Sequence, residues 1–196
     1  WGIDKLLMAR KLNGYKIIVC RDSKSYNWLL KNVSKAKIKM MADILFSLPE
    51  ELLAEKTDNK KLGISCFHRP KDVEDCEYYK KMAQLADFWI ETKKTDVILM
   101  AFNSGSEDDI YSCECIKKLM KNKENVSIVI HKKGDEIFSA YAECEKIIGA
   151  RFHSVVLSMK MGIPVFPLIY REKTRNLIKD ANYPEKGCNI DHINID

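Results

Sequence analysis

The stretch Lys146-Ile147-Ile148-Gly149-Ala150-Arg151-Phe152-His153-Ser154-Val155-Val156-Leu157-Ser158-Met159-Lys160-Met161-Gly162-Ile163-Pro164-Val165 decides how this chain folds. It opens on a short apolar run that stops at Gly149-Ala150, the form of a buried strand running into a turn. From Ser154 to Met161 nearly every position is apolar, which predicts a short helix covered on all sides. Gly162 supplies the helix stop and Ile163-Pro164 restarts an extended run. Strand, turn, buried helix and strand in immediate succession make one βαβ unit.

The same rhythm runs outward in both directions. Strand candidates fall at 16–20, 62–67, 97–102, 126–131, 146–149 and 164–169. Each is nearly all apolar, as expected of parallel strands covered on both faces. Helical segments alternate with them. Residues 3–12 read as a helix, Tyr78, Met82, Leu85 and Trp89 mark one buried helix face, and Ile110, Cys113, Ile116 and Leu119 mark another. Before the last of these, Ser106-Glu107-Asp108-Asp109 resembles a capping box, with Ser106 the expected cap. The whole predicts an α/β fold with a Rossmann-like, doubly wound parallel sheet. The charged segment 50–61, ending Asp58-Asn59-Lys60-Lys61, reads as a linker or connecting helix. Residues 1–58 are therefore expected to form a partial N-terminal lobe with its connecting segment, and 59–196 a C-terminal Rossmann-like domain.

Composition narrows the function classes. Hydrophobic residues make up 46% and charged residues 31% of 196, enough to bury a core and stay in solution. The net charge is +5, yet the 33 Lys and Arg are spread along the whole length without a basic block. A nucleic-acid-binding stripe is not expected; a mild surplus suits acidic substrates or plain solubility. Seven cysteines include no CxxC pair, and four histidines lack HxxxH spacing. Buried free thiols in a reducing compartment are expected, and no metal site. No apolar run reaches the length of a membrane span, and there is no signal peptide. The chain starts at Trp1 inside a helical pattern, so it reads as a longer protein lacking its N-terminal part.

Ligands of open α/β sheets bind beyond the carboxyl ends of the strands. That rule selects the loops His68-Arg69-Pro70, Asn103-Ser104-Gly105-Ser106, Ala150-Arg151-Phe152-His153-Ser154 and Tyr170-Arg171-Glu172-Lys173. In the third, Arg151 and His153 stand at a helix start, where free amides and the helix dipole favour anions. Arg151 can grip a phosphate or carboxylate with two parallel bonds, and His153 can move protons near neutral pH. Local pattern alone favours a plainer use, Arg151 paired with a structural carboxylate and His153 capping its own helix. Lys173 falls in the same crevice one strand later. Arg21, after the first strand, could face that crevice from the other side, with Asp22 as a helix cap. No GxGxxG, GxxxxGK[ST] or GxSxG motif occurs.

The run Ile147-Ile148-Gly149-Ala150-Arg151-Phe152-His153-Ser154, continued by Gly162-Ile163-Pro164-Val165, resembles the polysaccharide pyruvyl transferase family, whose members show Gly-x-Arg-x-His and an apolar helix ending in Gly-x-Pro. Tyr170-Arg171-Glu172-Lys173 looks like the family's Tyr-x-x-Lys segment. Val19-Cys20-Arg21-Asp22-Ser23-Lys24-Ser25 looks like its Arg-Asp-x-x-Ser element, and Asp43 falls where the family has an Asp before the linker. The resemblance implies a two-lobed fold similar to GT-B glycosyltransferases. It also implies transfer of a pyruvyl ketal group from phosphoenolpyruvate to the hydroxyls of a glycan or lipid-linked sugar, with no cofactor. By position, Arg151, Lys173 and Tyr170 would hold the donor, Arg21 would close the anion site, and His153 would be the general acid/base. Such enzymes serve bacterial surface polymers and are expected in the cytoplasm or at the inner membrane face. The family's glycine-rich stretch near the start of the N-terminal lobe has no counterpart here, which leaves open whether this fragment is active by itself. Two other functions fit the same fold: a nucleotide-sugar glycosyltransferase, with Glu172 on the ribose, and a non-catalytic α/β binding domain.

Overall fold

The structure is a computed structural model that describes residues 2–69, 76–132 and 135–195. Pro70, from the first candidate loop, and Trp1 lie outside the described residues. The chain begins with helix α1 (Gly2–Leu12), strand β1 (Ile17–Cys20), helix α2 (Ser23–Asn32) and strand β2 (Lys37–Met40). β1 and β2 pair in parallel as a sheet of two. A 3-10 turn over Ile44–Ser47 and another over Glu50–Leu52 lead in extended chain to β3 (Lys61–Ser65), so no connecting helix forms there. Then come α3 (Glu77–Lys93), β4 (Val97–Ala101), α4 (Asp109–Leu119), β5 (Val126–Ile130), α5 (Asp135–Ala142), β6 (Cys144–Gly149), α6 (Phe152–Lys160), β7 (Val165–Ile169), α7 (Glu172–Asp180) and β8 (Cys188–Asn189).

Strands β3 to β8 form one sheet in the order β5-β4-β3-β6-β7-β8, every pair parallel. Counted from β3 this is the 3-2-1-4-5-6 order of a doubly wound fold. The side-chain period of two divides the core accordingly. Along β4, Val97, Leu99 and Ala101 pack towards α3 and α4. Ile98 and Met100 pack towards α5 and α6 on the opposite face. The expectation of apolar strands covered on both faces holds for β3 and β4, while β5 at the sheet edge is only partly covered. It fails for β1, where Ile17 and Val19 are 55% and 56% exposed. Two strands offer too little surface to sandwich between helices.

Winding reverses between β3 and β6. From β3 the chain crosses to β4 on one side, and from β6 it crosses to β7 on the other, so the loops after these neighbours diverge and leave a crevice. Gly149 ends β6 where α6 folds back closely; a Cβ there would meet Val155 Cγ2 at 2.9 Å and Val165 Cγ2 at 3.1 Å. Gly162 stops the residues after α6 with a φ of +61°, as its position predicts. The small sheet leans on the other end of this edge. Asp180 of α7 accepts bonds from the Ser23 amide at 2.7 Å and its hydroxyl at 2.6 Å.

Candidate functional site

Arg151 is the N-cap residue of α6, at the carboxyl end of β6 and directly at the crevice. Its amide donates to the Ser65 hydroxyl of β3 at 3.3 Å, tying the two central strands together. Its guanidinium turns inward. Nε donates to Asp109 Oδ2 at 2.9 Å, one terminal nitrogen bonds the other Asp109 oxygen, and the second terminal nitrogen bonds Glu107. The plane also lies over Phe67, 4.6 Å from the ring centre. Desolvation would pull this guanidinium down, yet Asp109 and Glu107 carry it above its ordinary value.

Asp109 is fully buried and does more than pair with Arg151. It also accepts the amides of His68 at 3.2 Å, Phe102 at 3.2 Å and Asn103 at 3.0 Å. One carboxylate thus pins the loops after β3, β4 and β6 to one another. Burial pushes its carboxyl up, and Arg151 with these amides pulls the other way. The sequence placed the helix cap at Ser106. The structure gives that work to Asp108, whose carboxylate accepts the Tyr111 amide at 3.0 Å. The acidic run Glu107-Asp108-Asp109 is therefore shared: the middle residue caps α4, and the outer two hold Arg151. The Gly105 amide is used within its own turn, by Asn103 Oδ1 at 2.9 Å.

Above this floor opens a cleft of about 570 Å3. Of the residues singled out in the sequence, it brings together Arg151, His153, Tyr170 and Lys173. Arg21 lines the neighbouring hollow under the small sheet, yet its guanidinium reaches over the Phe152 ring, 4.2 Å from its centre. Lys173 approaches the same ring, 5.2 Å away. Phe152, a position that the family resemblance leaves tolerant, is a buried aromatic plate carrying two cations from different sheets. Arg21 is paired with Asp43 at 2.6 Å, and Asp43 is buried and caps the 3-10 turn through the Leu45 amide. Asp22 caps α2, as its sequence position suggested.

The electrostatics of the rim differ from those of the floor. Lys173, half-buried, is lowered first by desolvation and then by Arg21, Arg171 and Arg151, with Glu107 opposing. His153 projects into the cleft and is lowered by partial burial; Lys173, Arg21 and His131 add to this and Asp43 opposes it. Cations that depress one another in this way leave a site favouring an anion. Tyr170 stacks at 4.2 Å on Phe67, beside the guanidinium of Arg171. His68 and Arg69, from the first loop, are occupied elsewhere: the His68 ring meets the Asp108 carbonyl at 3.1 Å, and Arg69 pairs with Asp191 at 2.5 Å.

Sequence reasoning missed His131, Asp109, Glu107 and Phe152. His131 follows β5 and lines the cleft opposite Lys173, with Asn103 and the apolar side chains of Phe102, Ile137 and Phe138. The edge rule applied to β5 would have found it. The partners of Arg151 lie 42 and 44 residues away, and local patterning carries no sign of them. Among the described residues no cluster of side chains could hold a metal ion, and no helix is long and apolar enough to cross a membrane.

The family model for polysaccharide pyruvyl transferase matches residues 2–172, from α1 to the start of α7. A curated relative, the amylovoran biosynthesis protein AmsJ of Erwinia amylovora, is 24% identical over 131 residues. That match covers 65% of this chain and 32% of AmsJ, so the chain matches about a third of its relative's length. The matched region contains the turn at Arg151, the small sheet and both central strands, and the chain belongs to the polysaccharide pyruvyl transferase family.

Proposed function

We propose that the cleft binds phosphoenolpyruvate and serves transfer of its pyruvyl group, as a ketal, to two hydroxyls of a glycan or lipid-linked sugar in surface polysaccharide synthesis. The observation that carries this reading is Lys173. It is half-buried, lowered first by that burial and then by Arg21, Arg171 and Arg151, and free of any ion pair among the described residues. A cation held so is poised for a ligand's negative charge. Phosphoenolpyruvate brings a phosphate and a carboxylate. Lys173 and Arg21, both resting on Phe152, would meet one, and the amides at the start of α6, beside the buried charge of Arg151, the other. Tyr170 would border the donor. His153 stands beside these cations, where it can protonate the enol carbon once donor charge offsets theirs.

The reaction needs no redox step. A hydroxyl adds to C2 of the donor as C3 takes a proton, and the second hydroxyl then displaces phosphate to close the ketal. The two-sheet arrangement, with Arg21 brought to the cleft from the small sheet, is consistent with a GT-B-like two-lobed enzyme working in the cytoplasm or at the inner membrane face. Thermal-shift titration separates donors: phosphoenolpyruvate should raise the melting midpoint, and nucleoside diphosphates and their sugars should not. Stabilisation by nucleotide alone would sink the reading. Mass spectrometry of products then looks for the ketal on oligosaccharide acceptors.

A further inference from the structure

The cleft has two walls, and only one of them carries the cations. The wall built by the starts of α6 and α7 presents Arg151, His153 and Lys173. The facing wall, from the ends of β4 and β5 and from α5, presents Phe102, Asn103, His131, Ile137 and Phe138. On that second wall His131 carries the one imidazole among its described lining residues. We propose that His131 is a second proton-transfer group, taking the proton of the acceptor hydroxyl while His153 supplies the donor carbon. This rests on the pyruvyl-transfer reading above.

The position of His131 is fixed by its strand. Its amide donates to the Ala101 carbonyl at 2.9 Å, extending the β4–β5 pairing by one residue. Its ring lies 6.0 Å from Phe102, which in turn meets Tyr141 edge-on at 6.4 Å. Among the described residues no hydrogen bond engages the imidazole, which stands exposed on the cleft lining. His68, by contrast, has its ring engaged by the Asp108 carbonyl. His131 and His153 also sense each other, for His131 is one of the groups that lower His153. The other charged groups facing the pair are Asp43 and Arg21 from the small sheet, and Lys173 and Arg151 from the helix starts.

The chemistry is served by such a pair. Two hydroxyl protons leave the acceptor and one proton joins C3, so a single imidazole beside the donor cannot be acid and base in one step. In the proposed sequence the first hydroxyl gives its proton to His131 as its oxygen bonds to C2. The C2–C3 π pair takes a proton from His153, forming the methyl group. The second hydroxyl bonds to C2 as the C–O bond to phosphate breaks, and its proton leaves with hydrogen phosphate. Exchange through solvent returns both rings to their starting states. An apolar wall with one imidazole and one amide suits the ring face and hydroxyls of a sugar.

The test uses the full-length protein as wild type, His131→Gln and His131→Ala, supplied with phosphoenolpyruvate and an oligosaccharide acceptor. His131→Gln should lower kcat for acceptor-dependent phosphate release about a hundredfold or more. Donor affinity by calorimetry should be unchanged, and the acidic limb of the kcat/KM profile should disappear. Added imidazole should restore part of the activity of His131→Ala. An unchanged kcat or acidic limb overturns the proposal, as does an equal loss of donor affinity. In NMR titrations of the protein itself, His131→Gln should raise the pKa of His153. If His153 does not move, the two are not coupled and the proposal falls whatever the activity. Wild type that releases no phosphate from phosphoenolpyruvate with any acceptor overturns the pyruvyl-transfer reading itself, a result distinct from a His131 variant that is merely indifferent.

Discussion

At the floor of the cleft Arg151 is buried against Asp109 and Glu107; at its rim Lys173 and His153 stand partly in water, with no carboxylate bonded to them among the described residues. Both regions are dense in charge. The floor closes its charges on one another and ties three strand ends together through a single carboxylate. The rim leaves Lys173 and His153 open, and draws a further cation, Arg21, already paired with Asp43, from a two-stranded sheet whose Ile17 and Val19 are more than half exposed. Removing a floor residue should therefore cost stability, and removing a rim residue should cost ligand.

The largest effect is expected at Asp109. Asp109→Ala leaves a buried guanidinium without its bidentate partner and three amides without an acceptor. Loss of a buried pair's partner costs about 3–5 kcal/mol. For a chain of this size that lowers the melting midpoint by about 6–20 °C, read by circular dichroism. A loss below about 1 kcal/mol would place Asp109 with ordinary surface residues and erase the distinction drawn here.

Lys173→Ala should do the reverse. A hydrogen bond to a charged group contributes about 1.5–3 kcal/mol, so affinity for phosphoenolpyruvate should fall about tenfold to a hundredfold by calorimetry. The melting midpoint without ligand should stay nearly constant. Equal affinity would remove Lys173 from the anion site. A smaller effect of opposite sign is expected at Glu107, which belongs to the floor but is partly exposed and also approaches Arg171 at 3.5 Å. Its carboxylate occupies part of Arg151 that an incoming anion could use. Glu107→Gln should raise anion affinity about two- to fivefold, the scale of a partly exposed ion pair. Weaker binding would mean that Glu107 shapes the site rather than competing for it.

The division between floor and rim also explains what could be read in the chain alone. Runs such as Val97 to Ala101 announce a doubly covered strand, because parallel sheets bury both faces and leave no alternation. The turn Gly149-Ala150-Arg151 announces a helix start at a strand end, and the sheet order then puts it at the crevice. β2 and β8 escaped because Lys37-Ile38-Lys39-Met40 alternates with charge and Cys188-Asn189 is only two residues long. Arg151's structural pairing was expected from local pattern, but its partners were not: Asp109 is brought to it by folding, across α4 and the two central strands. His131 was missed for a different reason. It directly follows β5, where the edge rule points, but a lone His has no spacing to mark it, and the shared cleft is what brings it to the same site as His153.

The gentlest test of the rim is pH. Partial burial and the neighbouring cations hold His153 below its ordinary value, so the folded state prefers the neutral ring more than the unfolded state does. The unfolded chain then binds more protons as acid is added, and stability falls with it. This contribution is fully present above the ordinary histidine value of about 6.5 and is lost as pH drops below it. Binding of an anionic donor reverses the local field and should raise His153, so the same acidification should strengthen donor affinity. Stability and affinity are thus expected to move in opposite directions on going from pH 7.5 to about 5.5, a range that spans the imidazole titration. In His153→Gln this titration should vanish from both measurements. If affinity instead weakens in step with stability, the protonated ring does not face the donor, and the rim is positive for some reason other than the anion assigned to it.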